Sequence, residues 1–155
     1  MGVSVRPASL QDGVAVLSLL EEVGYYPEPI SFAQTFRKTI HDPHFLVRVA
    51  EEGGRIVGVA TLSLRYQLGI GGILACLDEL AVAKEAPGSA KRNLLRATIG
   101  RARALGAIRV LKDANRNTPP PARGRAALPR PRGGRPHSAS RVSDSSARSA
   151  RESPS

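Results

Sequence analysis

Apolar residues at Val16, Leu19, Leu20 and Val23 recur at helical spacing, and Gly24 follows them as a stop. Ser9 stands ahead of this run as a cap, with Asp12 three residues on. Before it, "VSVRP" reads as a short strand stopped by Pro7. "YYPEP" then breaks the chain, and Ser31 with Gln34 offers a second capping box ahead of Phe32, Phe36 and Ile40. "HFLVRVAEE" and "RIVGVATLSLRY" flank glycines 53 and 54, the pattern of a β-hairpin with a two-residue turn. "GILACLDELAV" predicts a further strand. Residues 88–105 predict a helix with Leu94, Leu95, Ile99, Ala102 and Leu105 inward. Gly106 ends that helix, and "AIRVLK" predicts a fifth strand. The predicted order is βααβββαβ, an α/β (α+β) domain with a central sheet flanked by helices.

The patterning changes after Asn117. Every Phe and Tyr lies at or before Tyr66. Residues 118–155 are dominated by Pro, Arg, Ser and Gly, with one Leu and one Val. Such a segment buries too little apolar surface to offset about 1–2 kcal/mol of backbone entropy per residue. The expected division is therefore a folded domain over 1–117 and a disordered tail over 118–155. Eight arginines against Asp144 and Glu152 give the tail six of the ten net positive charges of the 155-residue chain. The tail has no aromatic residue for base stacking, so nucleic-acid binding is not the expected role. There is no apolar run long enough for a membrane span and no secretory pattern at the N-terminus. Cys76 is the only cysteine, which excludes an internal disulfide and fits a cytoplasmic protein. Its apolar neighbours point to a small buried residue.

The stretch "LDELAVAKEAPGSAKRNLLRA", residues 77–97, reads as strand, small-residue turn and helix. Free amides at a helix start suit an anion such as a pyrophosphate. Gly88, Ser89 and Ala90 are small enough for close backbone approach, and Lys91 and Arg92 add positive charge at the rim. The same pattern also fits an ordinary strand-to-helix connection capped by Ser89. His41 and His44 flank a loop and read as surface residues.

"VSVRPASLQD", "VAEEGGRIVGVATLSLR" and "LDELAVAKEAPGSAKRNLLRATIGRARALGAIRVLKDANRN" together resemble the GNAT superfamily of acetyl-CoA-dependent N-acetyltransferases. The resemblance spans Val3 to about Asn117. It implies a GNAT-like mixed sheet whose fourth and fifth strands splay apart around acetyl-CoA. Backbone groups of Leu80, Ala81 and Val82 would pair with the acetyl and pantetheine arm. The amides of Gly88, Ser89, Ala90, Lys91 and Arg92 would hold the pyrophosphate. A substrate amine, on a small molecule or a protein N-terminus, would attack the thioester directly, with no metal. Such a reaction needs a base. Asp78 and Glu79 lie near the expected acetyl position. Strand alternation puts them on opposite faces, and Glu79 is the expected base. Tyr25 and Tyr26 fall where the family lines its acceptor site.

The sequence departs from the family motif Q/R-x-x-G-x-G/A in three ways. Ala86 or Pro87 stands in place of the opening Arg or Gln. Ala90 and Lys91 replace glycines, and the loop is one residue short. The family's later helix with its tyrosine acid, and the last strand, have no counterpart in the tail. The fold is therefore expected to be C-terminally incomplete, with an exposed edge that favours a homodimer or instability. An out-of-frame reading of a GC-rich gene would explain the switch. Two alternatives stand beside the enzyme: a relative with weak or no coenzyme A binding, and a basic-tail interaction protein.

Overall fold

The structure, a computed structural model, describes residues 2–112. The expectations for residues 113–155, including the tail, the absent tyrosine acid and the incomplete C-terminus, lie outside the described residues. The elements run β1 (Ser4–Pro7), α1 (Gly13–Glu22), α2 (Pro29–His41), β2 (Phe45–Glu52), β3 (Arg55–Gln67), β4 (Gly72–Val82), α3 (Gly88–Ala104) and β5 (Ala107–Lys112). This is the order the sequence predicts. Short 3₁₀ turns at Leu10–Asp12 and Leu68–Ile70 add to it. The five strands form one sheet in the order β1-β2-β3-β4-β5. All neighbours are antiparallel except β4 and β5, which are parallel and joined through α3.

Local chemistry explains most boundaries. Gly53 and Gly54 take φ of 60° and 80°, the left-handed pair that a two-residue hairpin turn requires. Gly24 and Gly106 take φ of 108° and 109° just after α1 and α3. At the start of α1, the Ser9 amide donates to Asp12 Oδ2 at 2.7 Å. Asp12 is 7 % exposed and also takes both terminal nitrogens of Arg6, at 2.8 and 2.9 Å. Arg6 Nε donates to Glu51 at 2.9 Å, so one guanidinium ties β1 to α1 and β2. These donors hold the Asp12 carboxyl below its ordinary value, the Arg6 bonds first among them.

Two helix expectations need correction. Helix α2 starts two residues before Ser31, because Pro29 has its φ preset for the first turn and Glu28 caps it. The Glu28 carboxylate accepts from the Ser31 and Ile30 amides at 2.8 and 3.1 Å, so Ser31 with Gln34 is not the capping box. In α3 the buried stripe is Ala90, Leu94, Thr98 and Ala102, one residue per turn. Leu105 is 41 % exposed, and Leu95 and Ile99 are half-buried. Thr98 is tolerated inside because its hydroxyl donates to the Leu94 carbonyl at 2.6 Å.

The helices lie on both faces of the sheet. A Cβ placed on Gly58 would meet Leu94 Cδ2 at 3.2 Å, so β3 at this point presses against α3. Its neighbour Val59 faces the other way, toward α1 and α2. Both faces are apolar, and Val59, Ala60 and Leu62 are essentially inaccessible. Cys76 is buried, as its neighbours suggested.

Candidate active site

Helices α1 and α2 do not close down on the far end of the sheet. They leave a cleft of about 810 Å³. Val16 and Leu20 of α1 and Phe32, Phe36 and Thr39 of α2 form one wall. Val47, Val59 and Thr61 of the sheet form another, and Tyr25, Tyr26 and Pro27 of the α1–α2 connection close one side. Phe32 and Phe36 stack with ring centroids 5.5 Å apart. Tyr25 is half-buried, whereas Tyr26 is 69 % exposed.

Asp78 and Glu79 both line this cleft. That corrects the expectation from strand alternation. Leu77 pairs with Leu62 and Glu79 pairs with Thr61, so the register shifts by one residue at Asp78. This β-bulge interrupts the alternation and turns both carboxylates toward the same side. Beyond it the alternation resumes. Ala81 pairs with Val59 on the cleft face, while Leu80 and Val82 pair with Ala60 and Gly58 on the α3 face.

Thr61 fixes the bulge. Its hydroxyl oxygen accepts from the Glu79 amide at 3.0 Å and its hydroxyl donates to the Glu79 carboxylate. Glu79 is thereby held against β3. Burial raises the Glu79 carboxyl above its ordinary value; the Thr61 donation opposes this and the Asp78 charge adds to it. Burial also raises the Tyr25 hydroxyl, with a further contribution from the charge of Glu79. A residue-by-residue reading of β4 could not show Asp78 in the cleft, since a bulge is set by pairing with β3.

Among the described residues, β4 pairs with β5 from Ile73 with Ala107 to Leu77 with Lys112. Residues 83–87 then lead into α3. The Lys84 amide donates to Glu22 at 3.0 Å, which ties this connection to the end of α1. Pro87 caps α3 and Gly88 is its first residue, so Ser89 is not the cap. The first turn carries no acid. A Cβ on Gly88 would meet nothing within 4 Å. The Ala90 amide is taken by the Pro87 carbonyl at 2.9 Å, and Ala90 is wholly buried. Lys91 and Arg92 lie deeper in the helix, where amides belong to the i→i−4 ladder; what they expose is side-chain charge. His41 and His44 are exposed and outside the cleft, with His44 bonded to Asp42 at 3.0 Å. Among the described residues no group of three His, Cys, Asp or Glu could hold a metal ion, and no helix is long and apolar enough to cross a membrane.

The sequence model of the acetyltransferase (GNAT) family matches residues 14–119. The chain belongs to the GNAT acetyltransferase family. Solved structures agree with this GNAT chain in fold. A transcriptional regulator from Bacillus halodurans C-125 superposes with a TM-score of 0.66 at 21 % identity, covering 72 % of this chain and 81 % of that one. Glucosamine-6-phosphate N-acetyltransferase from Arabidopsis thaliana gives 0.65 at 15 %, covering 73 % and 82 %. Ribosomal-protein-alanine N-acetyltransferase from Brucella melitensis biovar Abortus 2308 gives 0.61 at 16 %, covering 76 % and 81 %. No curated protein sequence matches this one.

Proposed function

We propose that this GNAT domain transfers an acetyl group from acetyl-CoA to a primary amine. The observation that carries the proposal is a half-buried glutamate, bonded to Thr61, in an apolar cleft at the end of β4 that leads into α3. Acetyl-CoA would supply the acyl group as a thioester. The residues present fit it. The backbone of Leu80, Ala81 and Val82 gives the pantetheine arm a strand edge to pair with. The pyrophosphate falls to the start of α3, where the Gly88 and Ser89 amides, the helix dipole and the side chains of Lys91 and Arg92 attract an anion. Ala90 supports that turn from within the core. Pro87 has no N–H to contribute, so charge carries more of the binding than a glycine loop would require.

Glu79 is the base. Its raised carboxyl is better matched to an amine proton than an ordinary glutamate. Glu79 takes one proton from the entering ammonium and later releases it to solvent. The freed lone pair forms the N–C bond as the C–S bond breaks. The second nitrogen proton leaves with the sulfur as thiol. Tyr25 and Tyr26 guide the acceptor at the mouth. The chain otherwise acts by holding both reactants together.

Calorimetric titration of the full chain with acetyl-CoA tests this reading. Micromolar binding, followed by thiol release on adding amines, is the expected result. No heat from a folded sample defeats it.

A further inference from the structure

The cleft differs in charge from the rest of the molecule. The chain carries +10, yet among the described residues that line the cleft there is no lysine, arginine or histidine. Its ionisable acids are Asp78 and Glu79, brought to one end together by the bulge. The stacked pair Phe32 and Phe36 lines the same cleft from α2. The rest of the lining is apolar apart from the hydroxyls of three threonines and of Tyr25 and Tyr26.

Three kinds of acceptor meet this lining differently. A phosphorylated or carboxylated amine would put an anion in an acidic, apolar space with no cation to receive it, which costs more than it returns. A sugar amine would lay hydroxyls against Phe32, Phe36 and Leu20, and those hydroxyls would lose hydrogen bonds to water. An amine with an apolar body keeps its ammonium against carboxylates and places its carbon skeleton on the aromatic wall. Resting on the acetyltransferase reading above, we infer that the acceptor is a small primary amine with an apolar, aromatic-sized body and no anionic group. Its ammonium lies between Asp78 and Glu79 and its body against Phe32 and Phe36.

The test is equilibrium binding to the full chain with excess coenzyme A present, which needs no turnover. Phenethylamine is compared with 2-phenylethanol, which lacks the charge, and with glucosamine 6-phosphate, which adds a phosphate. Phenethylamine is expected to bind at least about tenfold tighter than either. Asp78→Asn should shrink its advantage over 2-phenylethanol, and Phe32→Ala should weaken both aromatic ligands alike. Equal or tighter binding of glucosamine 6-phosphate overturns the inference, as does indifference to both substitutions. Tighter binding of a peptide that begins with phenylalanine overturns the small-molecule assignment. The heat of coenzyme A binding reads the acetyltransferase reading separately. Coenzyme A heat without an amine preference defeats the acceptor alone, and an amine preference without coenzyme A heat defeats the acetyltransferase reading alone.

Discussion

On the α3 side of the sheet, Gly58, Ala60 and Ala50 keep the surface low, and Leu94 settles on it with no accessible area. On the α1 and α2 side, bulkier phenylalanines hold the helices off and leave a cleft that ends at Asp78 and Glu79. The first face is close-packed and dry, so its side chains have one arrangement. The second face gives up packing to keep space and two carboxylates. Close packing and open, acid-lined space are thus divided between the two sides of the same strands, and β3 serves both with alternate residues.

That division can be broken from either side. The largest effect belongs to Leu94→Ala, which opens a void in the packed face. A loss of about 2–5 kcal/mol in urea unfolding is expected, with the cleft on the other face unchanged in whatever fraction remains folded. A loss below about 1 kcal/mol would mean that the α3 face is not the packed one.

Glu79→Gln probes the other side. Acetyl transfer should fall by about 10²–10⁴ in kcat/KM, while thermal stability holds or rises slightly at neutral pH. The sign follows from the raised carboxyl. A folded-state value above the unfolded one gives stability that is present at low pH and lost as pH rises through it. Removing that group therefore removes a neutral-pH cost. An unfolded variant would show instead that Glu79 is structural.

Asp12→Asn tests the joint that holds α1 to the sheet, with an expected loss of about 1–3 kcal/mol at neutral pH. The Asp12 carboxyl is held low, so its contribution is present above the ordinary aspartate value and lost as pH falls through the lowered one. The gap between variant and parent should close in acid. A gap independent of pH would remove the Arg6 pairing as its cause.

The smallest effect is a titration shift. The acid limb of kcat/KM should lie above the ordinary glutamate range, because burial raises Glu79. Thr61→Val removes the bond that opposes this and should move the limb further up. Asp78→Asn removes a neighbouring charge and should move it down. Opposite movements would assign the limb to another group.

The legibility of the molecule follows the range of the forces. Helix α1, the glycine hairpin, β4 and the end of α3 were readable because caps, turn glycines and periodicity act within a few residues. Helix α2 was readable in existence but not in its start, since Pro29 and Glu28 outcompeted the Ser31 signal. The stripe on α3 was displaced because Thr98 can bury its hydroxyl against Leu94, which an apolar count overlooks.

The site divided the same way. Its candidate residues and rough location came from the order of elements and the family resemblance, which pointed to Glu79, Tyr25 and Tyr26. The joint exposure of Asp78 and Glu79 did not. Local sequence determined which segments become strands and helices, because backbone propensity and hydrophobic period are properties of neighbours. Only the tertiary structure decided that β4 bulges at Asp78, that Thr61 of another strand holds Glu79, and that the phenylalanines of α2 keep a cleft open above them. Those depend on register and packing between residues distant in the chain, as Thr61 and Glu79 are at 18 positions apart, and no short window of sequence contains them.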